Sequence, residues 1–600
     1  MASDPPEVAP WPRRDTALLV AAVVLAAAYF VRLGVVDVTE PDEVRYAVVA
    51  RTMVESGDIV TPRINGCVYL DKPPLLHWLN ALSMRALGFT AFAARLPSVL
   101  VGLATVAVAG WLAASIAGRE AGLWTSVVLL SAAMPAGVSR LCRYDALFTL
   151  GVTAALACAW QALQHPGCLR WYAAAGVCTA AAILAKGPVA LALVGGSLAV
   201  FALLARVRGP RRRRSSARTA GPPGAGPRAP LGGALWLTAL AVTILLAAPW
   251  FVLAESRHPG YFHWFIANEH LARLHGATGE LHAQPFWFLL PITFVGIAPW
   301  SLLLVPSITG AVRRARTSLV PRDPTLLLLC WAAVPVVLFS LSQGKLPTYV
   351  LPALPPLAVL VGCYLAGAVG ATGSTLRRWL IATAGVSLAL AAGAAAYVAL
   401  GGPEAISTIA IQVIAAVAVL GLCGLVALVA ALLRRPVPAL LALAVLGLGE
   451  ILVVFEAMPA FPVTEGPEAA RVAAELARPG DLVMSWGVYN GALLWIRGGR
   501  MVVAGPFPNE YEYPENAAAL DAWYYPPRIA GGAFRTRQRI VCVAPQRDLA
   551  WLQRNLKDRM VIERLVRTKA VLVIRGLPPG DPGLATPAPG SAGAAPPETN

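Results

Sequence analysis

Along its first three quarters the chain repeats apolar runs of 18 or more residues. Each run is long enough to cross a hydrocarbon core of about 30 Å as a helix. In lipid, backbone N–H and C=O groups must be satisfied internally, so such runs confine the chain to a bundle of membrane helices. Only 14% of the residues are charged and 57% are hydrophobic, whereas about 25% of a soluble protein is charged. Soluble enzymes, nucleic-acid-binding domains and disordered regulators are excluded. A window of about 19 residues places spans near 16–36, 92–113, 121–139, 146–163, 171–185, 187–205, 233–254, 286–307, 325–341, 350–369, 379–400, 406–433 and 437–456. An odd count, thirteen, puts the two termini on opposite sides. After Arg13-Arg14, the run from Ala17 to Val31 lacks a small-residue cleavage site and reads as a retained first span.

The net charge of +17 is a topological signal. Segment 206–228 holds Arg206, Arg208, Arg211 to Arg214, Arg218 and Arg228 with no acid. Arg313, Arg314 and Arg316, Arg377-Arg378 and Arg434-Arg435 fall in later loops of the same parity, as does Arg13-Arg14. The positive-inside rule makes that side cytoplasmic, including the N-terminus and the basic loop 206–232. The opposite side then carries loops 37–91, 140–145, 255–285 and 342–349 and everything after about 457. No nucleic acid is implied; the lipid bilayer is the partner of this surface. Residues 1–456 form the transmembrane domain. In 457–576, β-like runs (Asp481 to Trp486, Met501 to Ala504, Arg539 to Ala544, Val571 to Arg575) alternate with helical stretches near 467–478 and 547–556, which predicts a small α/β domain outside the membrane. The tail 577–600, rich in Pro, Gly and Ala, reads as disordered. Nine cysteines are scattered singly, without metal or disulfide spacing.

Three of only five lysines, Lys72, Lys186 and Lys345, lie at outer span ends, against the topological trend. Ionisable groups at such positions are expensive, and their default reading is functional. Asp37, Glu40, Asp42, Glu43, Glu55, Asp58 and Asp71 crowd the first outer loop, and five of the seven histidines (His258, His263, His270, His275, His282) crowd another. Asp42 and Glu43 open a predicted helix: they are either first-turn acids, with Arg45 satisfying Asp42 at i+3, or a catalytic carboxylate. Pro73-Pro74 opens an amphipathic helix, with Asp71 and Lys72 at its edge as a local ion pair or as site residues. Lys186 either snorkels at a span end or serves the site. The C-terminal domain shows no catalytic triad or phosphate loop, leaving a covering or acceptor-recognition role.

These residues also lie in an ordered set of motifs. The set runs through Pro41-Asp42-Glu43, Arg45-Tyr46, Gly57-Asp58, Thr61-Pro62-Arg63, Asn65-Gly66, Asp71-Lys72-Pro73-Pro74-Leu75 and Ala94-Arg95-Leu96-Pro97-Ser98. It continues with Lys186-Gly187-Pro188, Glu269-His270 with Arg273, Pro299-Trp300, Ser340-Leu341-Ser342, Lys345-Leu346-Pro347-Thr348-Tyr349 and Leu351-Pro352. The whole resembles the bacterial aminoarabinose transferases of lipid A, polyprenyl-phosphate-sugar glycosyltransferases of the GT-C fold related to the protein O-mannosyltransferases. The resemblance implies a helical polytopic enzyme of the bacterial inner membrane with a periplasmic α/β domain. It would be an inverting transferase that moves a sugar, 4-amino-4-deoxy-L-arabinose or a relative, from an undecaprenyl-phosphate carrier to lipid A or another envelope acceptor.

By the same resemblance Asp42 is the essential carboxylate and Asp145 a second one, with Glu43 beside Asp42 in the motif as a further catalytic candidate. Arg45, Tyr46, Tyr69, Lys72, Lys345 and Tyr349 match positions of the carrier phosphate or of its cavity floor, and Lys186 and Arg273 fall in matched motifs. Asp71 and His270 match a metal position, implying a divalent ion (Zn, Mg or Mn), although Asp stands at 71 where some relatives have Glu. Cations would neutralise the departing phosphate and a carboxylate would act as base toward an acceptor hydroxyl. A polytopic transporter or flippase of lipid-linked substrates is the alternative class, and a non-catalytic envelope-assembly protein another.

Overall fold

The structure, a computed structural model, describes residues 12–207, 231–272, 283–318, 323–370, 374–400, 410–461, 464–487, 489–505, 513–516, 524–526, 532–536 and 538–577. Each of the thirteen expected spans contains helix among the described residues. The first nine helices and the first hairpin are α1 (Arg13–Ala28), α2 (Asp42–Ser56), β1 (Arg63–Ile64), β2 (Cys67–Val68), α3 (Leu75–Leu87), α4 (Ala91–Ala117), α5 (Arg119–Ser131), α6 (Ala133–Ser139), α7 (Tyr144–Gln164), α8 (Leu169–Lys186) and α9 (Val189–Val207). After α10 (Leu231–Arg257) come helices Leu289–Gly296, Leu304–Thr317, Pro324–Ser340, Leu354–Ala368, Ser374–Ala399, Ala410–Leu432 and Pro436–Ala457.

Among the described residues eight helices are long and apolar enough to cross a membrane, or ten if two bent pairs each count as one span. The chain is a multi-pass membrane protein. Three of the thirteen segments fall short of that test: α1, α8 and Pro324–Ser340. The two bends are 66° between α5 and α6, and 109° between Leu289–Gly296 and Ser301–Thr317. The first bend falls within the expected span 121–139 and the second within 286–307. Pro299 has no N–H to continue the ladder, and the chain turns there before Ser301–Thr317 carries Arg313, Arg314 and Arg316 on its own last turns. Trp300, fully buried, fastens the corner by donating its indole N–H to Ser131 Oγ at 3.0 Å.

Outside the bundle, the first loop and the C-terminal residues share one hydrophobic core. Val38, Val44, Ala47, Val49 and Met53 pack with Leu493, Trp495, Met501 and Val503. The C-terminal sheet has six strands in the order β5-β4-β3-β6-β8-β7. These are β3 (Leu482–Trp486), β4 (Val502–Ala504), β5 (Tyr524–Tyr525), β6 (Ile540–Pro545), β7 (Met560–Val566) and β8 (Lys569–Ile574). The half from β5 to β6 is parallel, and β8 and β7 are antiparallel. Helices Glu465–Leu476 and Leu549–Leu556 match the two expected helical stretches, whereas β5 and β7 were not among the expected strands. Two acids of the first loop are taken up in this packing. Asp37 accepts from Arg471 and from the Trp495 indole at 2.8 Å each, and Glu40 accepts from the Ala492 N–H at 2.9 Å.

Candidate active site

Helix α2 begins at Asp42, so Asp42 and Glu43 both sit in its first turn, where free backbone N–H groups favour carboxylates. Their side chains then part. Glu43 turns inward, with 2% of its surface exposed. It accepts from Arg95 Nε and the Cys142 N–H on one oxygen (2.9 and 2.8 Å) and from a second Arg95 nitrogen and Thr39 N–H and O–H on the other (2.9, 3.0 and 2.7 Å). Burial by itself would push its carboxyl up; the Arg95 charge and these hydrogen bonds more than reverse this and hold it below the usual range. Five donors fill its lone pairs. Glu43, expected beside Asp42 as a catalytic carboxylate, is the anchor that ties α2 to α4 and to the start of α7.

Asp42 turns outward and stays partly exposed. Arg143 meets it at 2.9 Å and Arg45, the i+3 neighbour, at 3.8 Å. Asp145, in the first turn of α7, is 2.5 Å from Lys186 Nζ. Lys186 ends α8, where the exposed carbonyls favour a cation, and its ammonium lies 5.4 Å from the Phe148 ring centre and 5.5 Å from that of Tyr349. Lys72 Nζ meets Glu269 at 2.5 Å and the Asp71 carbonyl at 3.0 Å. The pairs belong to one electrostatic cluster. Although burial disfavours its charge, Arg143 is held protonated by both Asp42 and Asp145, and Tyr69 feels both Asp71 and Arg45.

Beneath the charges lies an aromatic floor. Tyr46 meets Tyr144 edge-on at 4.8 Å, and His77 lies 6.2, 6.3 and 5.4 Å from Tyr46, Tyr69 and Tyr144. Burial pushes the Tyr46 and Tyr69 hydroxyls up and His77 down to about 3, so the floor carries no charge of its own. Lys345 stands on another wall. Buried to 4% exposure, it donates to the Gln284 carbonyl at 2.7 Å and lines an open groove of about 510 Å³ between 283–286 and 340–345.

Asp71 and His270, the expected metal ligands, are not joined by a third donor among the described residues. His270 Nδ1 donates to the Phe265 carbonyl at 3.1 Å, and Glu269 is engaged by Lys72. Among the described residues no three His, Cys, Asp or Glu side chains are gathered as a metal ion requires. Arg273, His275 and His282 lie outside the described residues. Of the other histidines, His263 is exposed and His258 is buried against Thr61 and Glu515.

Two partners escaped sequence reasoning. Arg143 lies in the outer loop 140–145, where the positive-inside rule expects few cations, and Glu269 entered only through the Glu269-His270 motif; its pairing with Lys72 spans 197 residues. Arg140, the other misplaced cation, caps α1 by donating to the carbonyls of Ala28, Tyr29 and Val31 at 3.0, 2.9 and 2.8 Å.

Residues 16–264 match the family described as dolichyl-phosphate-mannose-protein mannosyltransferase. The chain is 33% identical over 360 residues to an undecaprenyl phosphate-alpha-4-amino-4-deoxy-L-arabinose arabinosyl transferase of Edwardsiella ictaluri, covering 59% of this chain and 60% of that one. It is 31% identical over 380 residues to the enzyme of the same name from Pectobacterium carotovorum, covering 62% and 64%. The aligned region thus spans about three fifths of these relatives' length. The crystal structure of ArnT from Cupriavidus metallidurans bound to undecaprenyl phosphate superposes with a TM-score of 0.77 at 23% identity, over 93% of this chain and 98% of that one. Archaeal oligosaccharyltransferase AglB from Archaeoglobus fulgidus follows with a TM-score of 0.52 at 12% identity, over 89% and 70%. The fold is that of the GT-C glycosyltransferases, and the relatives fall where the motifs pointed.

Proposed function

We propose that this chain is an inverting glycosyltransferase that moves a sugar from an undecaprenyl-phosphate carrier to lipid A or another envelope acceptor. The sugar class that its relatives suggest is 4-amino-4-deoxy-L-arabinose. The observation that carries the reading is the electrostatic cluster of Asp42 and Arg45 in the first turn of α2, Lys72 before α3, Arg143 and Asp145 at the start of α7 and Lys186 at the end of α8. A lipid carrier's tail would stay in the bilayer there while its phosphate reaches the cations. The charge pattern favours an inner-membrane protein with its N-terminus cytoplasmic and the C-terminal domain periplasmic.

The leaving group in such a transfer is a phosphate monoester, which needs its growing negative charge stabilised more than it needs a proton. Lys72 and Arg45 suit that task, because fixed cations in a partly dry site are worth far more than in water. Asp42 would accept a proton from an acceptor hydroxyl or, for a phosphate acceptor, orient it, with Asp145 as the second carboxylate. Direct attack on the anomeric carbon inverts it. Glu43 takes a positioning role, holding the α2 turn on which Asp42 stands. The test uses purified protein in liposomes with undecaprenyl-phosphate aminoarabinose and lipid A, the product read by mass spectrometry. Transfer that Asp42→Asn abolishes is expected. Wild-type transfer by Asp42→Asn would remove Asp42 from the chemistry, and passage of labelled lipid across the bilayer without sugar transfer would favour a transporter.

A further inference from the structure

Lys72 is reached from a hairpin too small to hold itself in place. Strands β1 and β2 have two residues each, and their Asn65-Gly66 turn has positive φ at both positions (52° and 84°). An isolated two-stranded hairpin is marginal at best in water. Here two side-chain amides supply the missing strand contacts. Asn65 donates to the Met501 carbonyl (3.1 Å) and accepts the Met501 N–H (2.9 Å). In the opposite direction, Asn516 of the C-terminal domain accepts the Val68 N–H (2.8 Å) and donates to the Val68 carbonyl (3.0 Å). Asn65, Val68, Met501 and Asn516 are each only 2–3% exposed. Each carboxamide therefore acts as one rung of a sheet, sheltered from water.

Val68 is directly followed by Tyr69 and, three residues later, by Lys72. The turn that supplies Asn516 also grips the other side of the site. Glu515 meets His258 Nδ1 at 2.5 Å, and His258 Nε2 meets Thr61 Oγ1 at 3.1 Å. Tyr513 packs edge-on against Trp264 at 5.1 Å, just before the segment that carries Glu269. One short turn thus holds the hairpin leading to Lys72 and the root of the segment that presents its partner.

We infer that Asn516 is a positioning residue for the phosphate-binding lysine, acting through Val68 on the placement of Lys72. The C-terminal domain is then a working part of the site and more than a cover over it. This inference rests on the proposed role of Lys72 toward a carrier phosphate. The test measures binding of undecaprenyl phosphate to the full-length protein in nanodiscs. Asn516→Ala is expected to weaken binding ten-fold or more, and Asn516→Asp, which keeps the acceptor for the Val68 N–H, to weaken it less. In a Lys72→Ala background Asn516→Ala is expected to add no further loss, an outcome that general loosening of the fold would not give. Hydrogen exchange on the wild-type chain supplies a check that needs no variant: the Val68 amide is expected to be as protected as β3. Unchanged binding by Asn516→Ala, an equal loss in the Lys72→Ala background, or a fast-exchanging Val68 amide would each overturn the inference. A wild-type protein that fails to bind undecaprenyl phosphate would instead overturn the proposed function.

Discussion

Asp42 and Glu43 are adjacent in sequence, yet their environments prepare them for opposite tasks. Asp42 is partly exposed, shared by Arg143 and Arg45; Glu43 is 2% exposed and fully hydrogen-bonded to Arg95, Thr39 and Cys142. Asp42→Asn is therefore expected to lower the transfer rate by about 10²–10⁴-fold, the usual worth of a positioned acid or base, with little change in thermal midpoint. Glu43→Gln is expected to do the reverse: breaking one side of a buried ion pair costs about 3–5 kcal/mol, read as a lower unfolding temperature in detergent. Glu43 also gives stability a pH dependence. Its folded pKa lies below the unfolded value of about 4.3, so its contribution is fully present above that value and is lost as pH falls through the folded pKa. Acid titration of the wild-type unfolding midpoint should show a decline below about pH 4.3 that Glu43→Gln lacks. Sequence reasoning found both acids through their density in one loop. It could not separate them, because which one faces Arg95 depends on a helix that begins nearly fifty residues later.

Membrane helices carry their signal within themselves, and for that reason ten of the thirteen expected spans meet the length and hydropathy of a crossing helix among the described residues, counting each bent pair as one. A run of apolar residues satisfies its own backbone and needs no distant partner to be recognised. The bends were less legible, because a proline marks where a helix breaks but not the angle that follows. In the C-terminal sheet, β7 was missed since Glu563 and Arg564 interrupt its apolar pattern on an outer, exposed strand, and β5 has only two residues. Close helix packing is likewise invisible in a window average. Gly362, in Leu354–Ala368, lies so near α5 that a Cβ there would fall 2.1 Å from Thr125 Oγ1 and 2.7 Å from the Ala121 carbonyl. Gly362→Ala is expected to cost about 1–3 kcal/mol by overpacking. Gly367→Ala in the same helix, where a Cβ meets nothing within 4 Å, should stay within about 0.5 kcal/mol of wild type. Thermal unfolding of the two variants side by side checks the contrast.

At the scale of the molecule, the first outer loop and the C-terminal sheet form one body. Trp495, 3% exposed, packs in their shared core and donates to Asp37 at 2.8 Å. Trp495→Ala is expected to cost about 3–5 kcal/mol and to release hydrogen-exchange protection in Arg63–Val68 and Leu482–Trp486 together. Loss confined to one of the two segments would show two separate bodies. Nothing local in the sequence announces this union, since its hydrogen bonds join residues as much as 458 positions apart.

That separation also sets an order of events during synthesis. Asn65 leaves the ribosome 436 residues before its partner Met501, which at about 5–20 residues per second is roughly 20–90 s. Throughout that interval the loop bearing Asp42 and Lys72 exists with its apolar face uncovered and its hairpin unpinned. A chain interrupted between Ala457 and Met501 would thus have the helices of the bundle and the charged residues of the cluster, yet neither amide pair that pins the hairpin. Completion of the final domain is the step that closes both ends of the polypeptide around the place where the chemistry is proposed to happen.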